Sequence, residues 1–412
     1  MAAKLAHPTV EERLARGAEA RDKADPSSHA RWAPASGRKD AVALLEEQNA
    51  TREPDLVPVR HGRMTVSPFT FYRGAAKVMA ADLADTPRAG LDVQLCGDAH
   101  LSNFGGFASP ERELLFDLND FDETLPGPFE YDVKRMATSF TIAANHNGFA
   151  KADAKAATLA SVEAYRTAMI GFGQSRTMDV WYAHMSEDDT LAIARATRTT
   201  KKADRRLARD EKNAIEKART HDSLRALSKL GELVDGRYQI VSKPPILIPL
   251  RDLPPDFGRP AAELEEVLHQ QFLAYRETLQ DDHRRLLERF HLVDAARKVV
   301  GVGSVGTRAF IALLQGRDEM DPLFLQVKEA TASVLEDHLP KSRFRQPGER
   351  VVQGQRMMQA ASDIFLGWTK GVESDHRYYY WRQLRDMKVS VSVEAMSPDA
   401  MTLYARLCGW PL

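Results

Sequence analysis

The feature that most constrains this chain is a dense run of carboxylates in a strand-like segment. Residues 91–132 alternate short apolar runs with polar turns, and the run RELLFDLNDFDE ends in four carboxylates within seven residues: Asp117, Asp120, Asp122 and Glu123. Carboxylates this close repel one another unless a cation lies among them. The pattern predicts a site held by two short strands, and it leaves open a divalent-metal site or a solvated acidic turn.

A second polar run, CGDAHLSN, follows the strand-like segment LDVQL. In this run Asp98 is followed five residues later by Asn103. A kinase catalytic loop has the same spacing: its Asp takes the proton of the acceptor hydroxyl and its Asn holds magnesium. An Asx-type turn with ordinary hydrogen bonds also fits, so the spacing alone leaves both interpretations open.

A glycine-rich pattern, GVGSVG, occupies residues 301–306. A dinucleotide-binding fingerprint must open a helix, whereas the residues that follow, TRAFIALLQG, are typical of a strand. The pattern therefore predicts a turn between two strands, as in the loop that covers nucleotide phosphates in kinases. A hairpin without a ligand is the alternative. The candidate cofactor-binding residues are Gly301, Gly303, Ser304 and Gly306.

Lys328 lies late in the apolar segment PLFLQVKEA, shortly after this turn. A kinase places a lysine at the equivalent strand position, where it contacts the α- and β-phosphates and pairs with a glutamate of the next helix. Glu349 and Glu336 are both candidates for that glutamate, and the sequence does not choose between them. A strand lysine that extends its amine to solvent is the alternative.

These four features together resemble the parts of a nucleotide phosphotransferase, but in an altered order. Kinases run from the glycine-rich loop through the lysine to the catalytic and metal-binding Asp, whereas here Asp98 and Asp120 precede the glycine-rich pattern by about 200 residues. A circular permutation restores the spatial arrangement, because contacts in a fold do not depend on where the chain is cut. We therefore predict an α+β, protein-kinase-like two-lobe fold that is circularly permuted.

The predicted organisation has four parts. Residues 1–55 form a charged arm, helical or partly disordered, and 56–297 a helical lobe that carries the catalytic and metal-binding loops. Residues 298–390 form a β-rich nucleotide-binding lobe. Residues 391–412 form a helix that returns to the helical lobe. A basic stretch over residues 195–219, with ten Lys/Arg and four Asp/Glu, predicts a solvated helix or a surface for an anionic substrate.

Composition excludes several classes of protein. The 412 residues carry 57 Lys+Arg against 58 Asp+Glu, a net charge of −1, so binding of nucleic acid through bulk positive charge is not expected. The two cysteines, Cys96 and Cys408, argue against a disulfide framework or a zinc cluster and fit the cytoplasm. Without a long apolar run or a signal-like N-terminus, no membrane association is expected.

Several segments together resemble a bacterial family called domain of unknown function 2252: CGDAHLSNFG, FDLNDFDETLPGPFEYDVKRMATS, RMTVSPFTFYRGAA, GVGSVGTR, PLFLQVKEA and YYYWRQLRDMK. The resemblance covers roughly residues 55–412. It implies a distant relative of the protein-kinase-like superfamily, close in its site to aminoglycoside phosphotransferases. Since members of the family usually continue further, it also implies that the final helix is shortened here.

Aminoglycoside phosphotransferases carry the motif H-G-D-x-H-x-x-N, and this chain has Cys96 at the first His position but keeps the other motif residues. The resemblance implies that Asp98 is the general base, that Asn103 binds magnesium and that His100 supports the loop. In those enzymes a Tyr/Trp-Asp pair follows the metal-binding Asp by about twelve residues. The pair Tyr131-Asp132 has this separation from Asp120.

The same resemblance implies that Asp120 is the main metal ligand, that Asp122 binds a second metal and that Asp132 braces the catalytic loop. Lys328 would contact phosphates. Arg63 and Arg73 lie outside the superfamily motifs. They would meet an anionic acceptor, bind the nucleotide phosphates, or form structural salt bridges.

The function expected is an ATP- and magnesium-dependent phosphotransferase that acts on a small-molecule hydroxyl acceptor, since no Ala-Pro-Glu segment is present to hold a polypeptide. The alternatives are a pseudokinase-like nucleotide-binding protein and a nucleotidyl transferase that moves AMP. A dinuclear metal phosphoesterase is disfavoured because its remaining ligand motifs are missing. The sequence does not identify the acceptor or the oligomeric state.

Overall fold

The structure is a computed structural model that describes residues 7–196, 223–253, 261–372, 377–384 and 391–412. Helices and strands both contribute, so the α+β prediction is confirmed at that level. The predicted basic stretch lies outside the described residues from position 197 onward. Among the described residues, no helix has the length and apolar character needed to cross a membrane.

The described helices, α1–α14 in chain order, are Val10–Lys23, Ala41–Asn49, Val57–Met64, Pro68–Arg73, Ala76–Leu83, Glu130–His146, Lys151–Gln174, Thr177–Tyr182, Glu187–Ala196, Ser223–Leu230, Ala261–Arg276, Asp281–Leu287, Pro347–Met358 and Pro398–Gly409. The described strands, β1–β12, are Asp92–Leu95, Phe104–Ala108, Leu114–Leu118, Leu125–Pro128, Gly231–Val234, Arg237–Ile240, Leu247–Pro249, His291–Lys298, Ala309–Gln315, Pro322–Ala330, Gly367–Lys370 and Tyr378–Gln383.

Six strands form one antiparallel sheet in the order β11-β12-β10-β9-β8-β7. Strand β10 is central and almost wholly buried, which its apolar sequence PLFLQVKEA explains. Since side chains alternate across a strand, Val327 and its partner Trp381 point away from Lys328 and its partner Tyr380. On the Trp381 side, that indole stacks on Tyr275 of α11, with ring centroids 4.7 Å apart.

The segment 291–297 differs from the sequence-based prediction, which included it in the helical lobe over residues 56–297. The helices end at Arg276 and Leu287, and His291–Lys298 is strand β8. Its residues, HLVDAARK, have ordinary helix propensity, but the strand pairs with β9 on one side and β7 on the other. Burial between two strands outweighs a local preference of a few tenths of a kcal/mol per residue.

The polar runs of the sequence lie on two short antiparallel pairs, β1 with β4 and β2 with β3. Helices α6, α7 and α14 pack beside them. On α14, Tyr404 makes edge contacts with Phe116 and Phe140, with centroids 5.9 and 6.2 Å apart. Its hydroxyl donates to the carbonyls of Leu101 and Phe104 at 2.9 and 3.1 Å. The last helix therefore supports the loop that follows β1.

Candidate functional site

The backbone at the start of the loop over residues 96–103 is held by Asp132, which lies in the first turn of α6. The carboxylate accepts hydrogen bonds from the backbone N–H of Cys96 at 2.7 Å and of Gly97 at 3.0 Å. Gly97 has φ of 84°, and a Cβ there would lie 2.2 Å from the Glu123 carbonyl oxygen, so only glycine fits. Burial raises the pKa of Asp132 to about 6. Asp132 therefore fixes the backbone at the start of the 96–103 loop.

Asp98 projects from this loop and is oriented by Arg135, whose Nε donates to Asp98 Oδ1 at 2.7 Å. Arg135 is itself fixed, because it donates to the Tyr72 carbonyl at 2.7 Å and lies 3.9 Å from the centre of that ring. Asn103 Nδ2 donates to the Asp98 carbonyl at 2.7 Å. The second carboxylate oxygen, Oδ2, accepts no hydrogen bond from the described residues and faces His100 Nε2 at 3.8 Å.

His100 is buried and neutral. Its Nδ1 accepts from the backbone N–H of Ser102 at 3.2 Å, so the ring proton is on Nε2. Burial lowers the pKa of His100 to about 3, which keeps the imidazole uncharged beside Asp98. His100 therefore shapes the loop and presents an N–H toward Asp98 without adding a charge.

The acidic segment 117–123 meets the six-stranded sheet through Lys328. The amine lies 2.5 Å from Asp122 Oδ2 and 3.8 Å from Asp120 Oδ1. Tyr380, opposite Lys328 in the register, donates its hydroxyl to Asp122 Oδ1 at 2.6 Å. Burial disfavours the charged amine, but Asp120 and Asp122 outweigh it and raise the pKa of Lys328. Lys328 therefore supplies a positive charge that reduces the repulsion among the carboxylates of this segment.

The pairing of Lys328 differs from both sequence candidates. Among the described residues its ion pairs are with Asp122 and Asp120, not with Glu349 or Glu336. Glu336 closes a capping box at Ser333, and its carboxylate lies 4.0 Å from Arg350 Nε. Glu349 lies in the first turn of α13, without a described contact to the lysine.

Three arginines that the sequence patterns did not predict, Arg135, Arg350 and Arg382, contribute to the site. Arg350 of α13 donates to the carbonyls of Asp122 and Thr124 at 2.8 and 2.5 Å and so fixes the end of the acidic segment. Arg382 of β12 donates to the Asn119 carbonyl at 3.1 Å. Burial raises the pKa of Asp120, but the positive charges of Lys328 and Arg382 lower it by more. The pKa of Asp120 therefore lies below its ordinary value. The only available signal for Arg382 was its place in YYYWRQ, two residues from Tyr380.

The glycine-rich turn, residues 301–306, connects β8 to β9, as the sequence predicts. Gly301 and Gly306 have φ of 65° and 93°, which favours glycine at both positions. Ser304 lies over the acidic segment, with its Oγ 3.4 Å from Asp122 Oδ2. A Cβ at Gly303 would lie 3.0 Å from the carbonyl oxygen of Arg73, so the N-terminal helices approach the turn closely.

The two N-terminal arginines differ in their surroundings. Arg63 donates to the Gly301 carbonyl at 2.6 Å and therefore secures the turn. Arg73 makes no side-chain hydrogen bond or ion pair with any described residue, and its Nε is shielded from solvent. The pKa of Arg73 is lowered because burial disfavours the charged guanidinium. The nearby negative charges of Asp98, Glu394 and Asp120 act in the opposite direction but do not offset burial.

The donor groups fit a magnesium ion through two oxygens. Asn103 Oδ1 and Asp120 Oδ2 accept no hydrogen bond from the described residues, whereas both oxygens of Asp122 are engaged by Tyr380 and Lys328. Within the described ranges, no group of three His, Cys, Asp or Glu side chains is arranged to hold a metal. Since Mg²⁺ keeps several waters and needs only one or two protein carboxylates, an amide oxygen and Asp120 are a sufficient donor pair.

The fold and the site define an α+β protein in which a loop carboxylate, an acidic segment, a buried lysine and a glycine-rich turn converge. The chain belongs to the family DUF2252, described as an uncharacterized protein conserved in bacteria, whose sequence profile matches residues 52–412. No curated protein matches the chain, and no solved structure does.

Proposed function

We propose that this protein is an ATP- and magnesium-dependent phosphotransferase with a circularly permuted, kinase-like two-lobe architecture, acting on a small-molecule hydroxyl acceptor. One observation carries the proposal. Ser304 of the glycine-rich turn and Lys328 of β10 both contact Asp122, which lies 182 and 206 residues earlier in the chain. A permuted phosphotransferase requires this convergence, whereas an unrelated acidic turn and hairpin do not.

The residues present supply the positions that phosphoryl transfer needs. Asp98 Oδ2 would accept the hydrogen bond, and then the proton, of an acceptor hydroxyl, because Oδ1 is already held by Arg135. The acceptor oxygen would attack the γ-phosphorus while the bond to the β,γ-bridging oxygen breaks and ADP leaves. Lys328 and the N–H groups of the glycine-rich turn would bind the phosphates of the donor.

Magnesium, held by Asn103 and Asp120, would neutralise charge on the phosphates when bound. In the structure Lys328 forms ion pairs with Asp122 and Asp120, and Ser304 lies close to Asp122. Entry of a triphosphate therefore requires Lys328 to share these contacts with phosphate oxygens and the turn to lift. A nucleotide-binding protein without turnover and a nucleotidyl transferase use the same residues, and the experiment below separates them.

Thermal unfolding with and without Mg-ATP tests the proposal. A ligand at about 100 times its dissociation constant stabilises by roughly 2.7 kcal/mol, which raises Tm by several degrees in a chain of this size. We expect this shift in wild type, a much smaller one in Asp120→Asn, and a full one in the control Asp179→Asn, which changes an exposed ion pair. An absent shift with millimolar ATP or GTP would contradict nucleotide binding.

Labelled ATP then distinguishes the reactions. Transfer of label from the γ-position supports a phosphotransferase, and transfer from the α-position indicates AMP transfer. Binding without release of either label indicates a protein that binds nucleotide without turnover. Asp98→Asn should lower γ-label transfer by at least 100-fold while it leaves the Mg-ATP shift in place, because general-base catalysis contributes about 10²–10⁴-fold.

A further inference from the structure

Arg73 is a cation near the site that has no hydrogen-bond or ion-pair partner among the described residues. It ends helix α4, and its guanidinium makes no described hydrogen bond, with Nε closed off from water. Three neighbouring arginines, by contrast, each donate side-chain hydrogen bonds: Arg60 to Asn49 and Gln48, Arg63 to Gly301, and Arg135 to Asp98. The residue is half-buried, and the shielded Nε is the donor that lacks a partner. A shielded donor left without a partner costs about 1–3 kcal/mol unless a ligand completes it.

The charges around Arg73 place it on the Asp98 side of the site. Asp98 is the carboxylate that acts on it most strongly, followed by Glu394 and Asp120. Arg73 also acts on the buried ring of His100, which faces Asp98. Its backbone carbonyl lies against Gly303. The backbone of Arg73 therefore lies beside the glycine-rich turn, and Arg135 joins the preceding residue, Tyr72, to Asp98 of the 96–103 loop.

This position differs from that of the cations expected to meet the nucleotide. Lys328 and Arg382 lie on the sheet and act on Asp120 and Asp122. Arg73 comes from helix α4, whose end approaches the turn at Gly303. Of the surrounding carboxylates, Asp98, the group that would orient the acceptor hydroxyl, acts on it most strongly. A guanidinium recognises carboxylate and phosphate groups through paired N–H donors.

We infer that the acceptor carries an anionic group, a carboxylate or a phosphate, which Arg73 binds while Asp98 orients the hydroxyl to be phosphorylated. The inference rests on the proposed function for the identity of the acceptor site, but the anion site itself can be measured separately. It makes Arg73 a specificity-determining residue and excludes neutral sugars and alcohols as good acceptors.

Calorimetric titration of anions into the nucleotide-loaded protein tests this inference. The protein is first saturated with Mg²⁺ and a non-hydrolysable ATP analogue, so that the nucleotide phosphate positions are filled. Inorganic phosphate and acetate are then titrated in separate arms, at ionic strength held constant with chloride. We expect saturable binding of at least one anion, and the stronger arm identifies the acceptor's charged group.

Three variants make the result specific. Arg73→Gln should weaken anion binding at least tenfold, Arg73→Lys should retain part of it, and Arg176→Gln should leave it unchanged, because Arg176 lies exposed beside Asp179. Near-UV circular dichroism and the Tm of each variant without ligand show whether it is folded. Equal anion affinity in wild type and Arg73→Gln, or no saturable anion binding to wild type, would overturn the inference.

The two proposals fail in different ways. If Arg73→Gln loses the ATP analogue instead of the anion, Arg73 belongs to the nucleotide site, so the inference is wrong while the proposed function stands. If wild type binds no nucleotide but binds phosphate or acetate through Arg73, the anion site stands and the phosphotransferase proposal is wrong.

Discussion

Buried carboxyl groups dominate the electrostatics of individual residues in and around the site. Burial raises the pKa of Asp117 and of Glu123 to about 7, and that of Asp132 to about 6. Each of these carboxyl groups accepts hydrogen bonds from backbone N–H groups. These bonds lower the pKa, but by less than burial raises it. Asp117 and Glu123 of the acidic segment therefore keep a proton up to about neutral pH, while Asp120 beside Lys328 stays ionised.

Asp117 predicts a dependence of stability on pH. Its pKa in the folded protein, about 7, lies above the ordinary 3.8, so the folded state binds the proton more tightly than the unfolded state does. The stability from this group is complete below about pH 4 and is lost as the pH rises through 7. Asp117→Asn should reduce the loss of unfolding free energy between pH 5 and 8 by about 1–3 kcal/mol.

Chemical denaturation at several pH values measures this effect. The slope with pH is the informative quantity, because the variant also weakens one of the two N–H contacts of Asp117, from Leu118 and Ala360, at every pH. Asp179→Asn, in an exposed ion pair, is the control that should keep the wild-type slope. An unchanged slope in Asp117→Asn would show that this carboxyl is ionised in the folded protein near pH 5.

At the level of helices and strands, the last helix, α14, supports the 96–103 loop from a position 300 residues later in the chain. Tyr404 donates to the carbonyl of Leu101 in that loop and to the carbonyl of Phe104, the first residue of β2. Gly409 lets α14 approach α7 closely, since a Cβ there would lie 2.2 Å from the Ser161 carbonyl oxygen. Asp98 is thus positioned by α6 through Asp132 and Arg135 and by α14 through Tyr404.

Tyr404→Phe should destabilise the protein and loosen this loop. The substitution keeps the ring packing but leaves the buried carbonyls of Leu101 and Phe104 without their donor, at a cost of about 1–3 kcal/mol. Denaturant unfolding measures the loss, and Tyr182→Phe, at a residue 66% exposed, is the matched control. A change below about 0.5 kcal/mol would mean that water replaces the hydroxyl and that α14 does not hold the loop.

Sequence patterns predicted those strands whose own residues alternate or run apolar, such as β3, β9 and β10. They failed at β8, whose residues become a strand only because β7 and β9 flank it. The same limit applies to the partner of Lys328. The apolar strand indicated a lysine that pairs with Glu349 or Glu336 or extends to solvent, but sheet register places Tyr380 opposite it and the fold places Asp122 beside it. The arginines 135, 350 and 382 were not predicted for the same reason, since their contacts join segments distant in sequence.

In the whole molecule, the N-terminal helices secure the glycine-rich turn from outside the sheet. Arg63 donates to Gly301, Arg52 to the Val305 carbonyl, and the Glu53 N–H to the Gly306 carbonyl at 2.8 Å. Glu53 also pairs with Arg308 at 2.7 Å. These contacts hold the turn close to Asp122, so the N-terminal segment 52–63 restrains the turn.

Arg63→Ala should therefore raise the hydrogen-exchange rate of the glycine-rich turn without changing the 96–103 loop. Two turn amides report the change, because Val305 N–H donates to Val302 and Thr307 N–H donates to Ser304, both by weak bonds of 3.2–3.3 Å. We expect a several-fold faster exchange in peptides that cover 299–308, measured by mass spectrometry. Loss of a restraining contact lowers the free energy of local opening, and the exchange rate follows it.

Lys39→Ala is the control, since Lys39 forms an exposed pair with Glu47 in the same N-terminal region but does not contact the turn. Its exchange pattern over 299–308 should match wild type. Faster exchange spread over the whole chain in Arg63→Ala would indicate general destabilisation. No change over 299–308 would show that Arg52 and Glu53 suffice, and the restraint of the turn would then be assigned to the 52–53 segment alone.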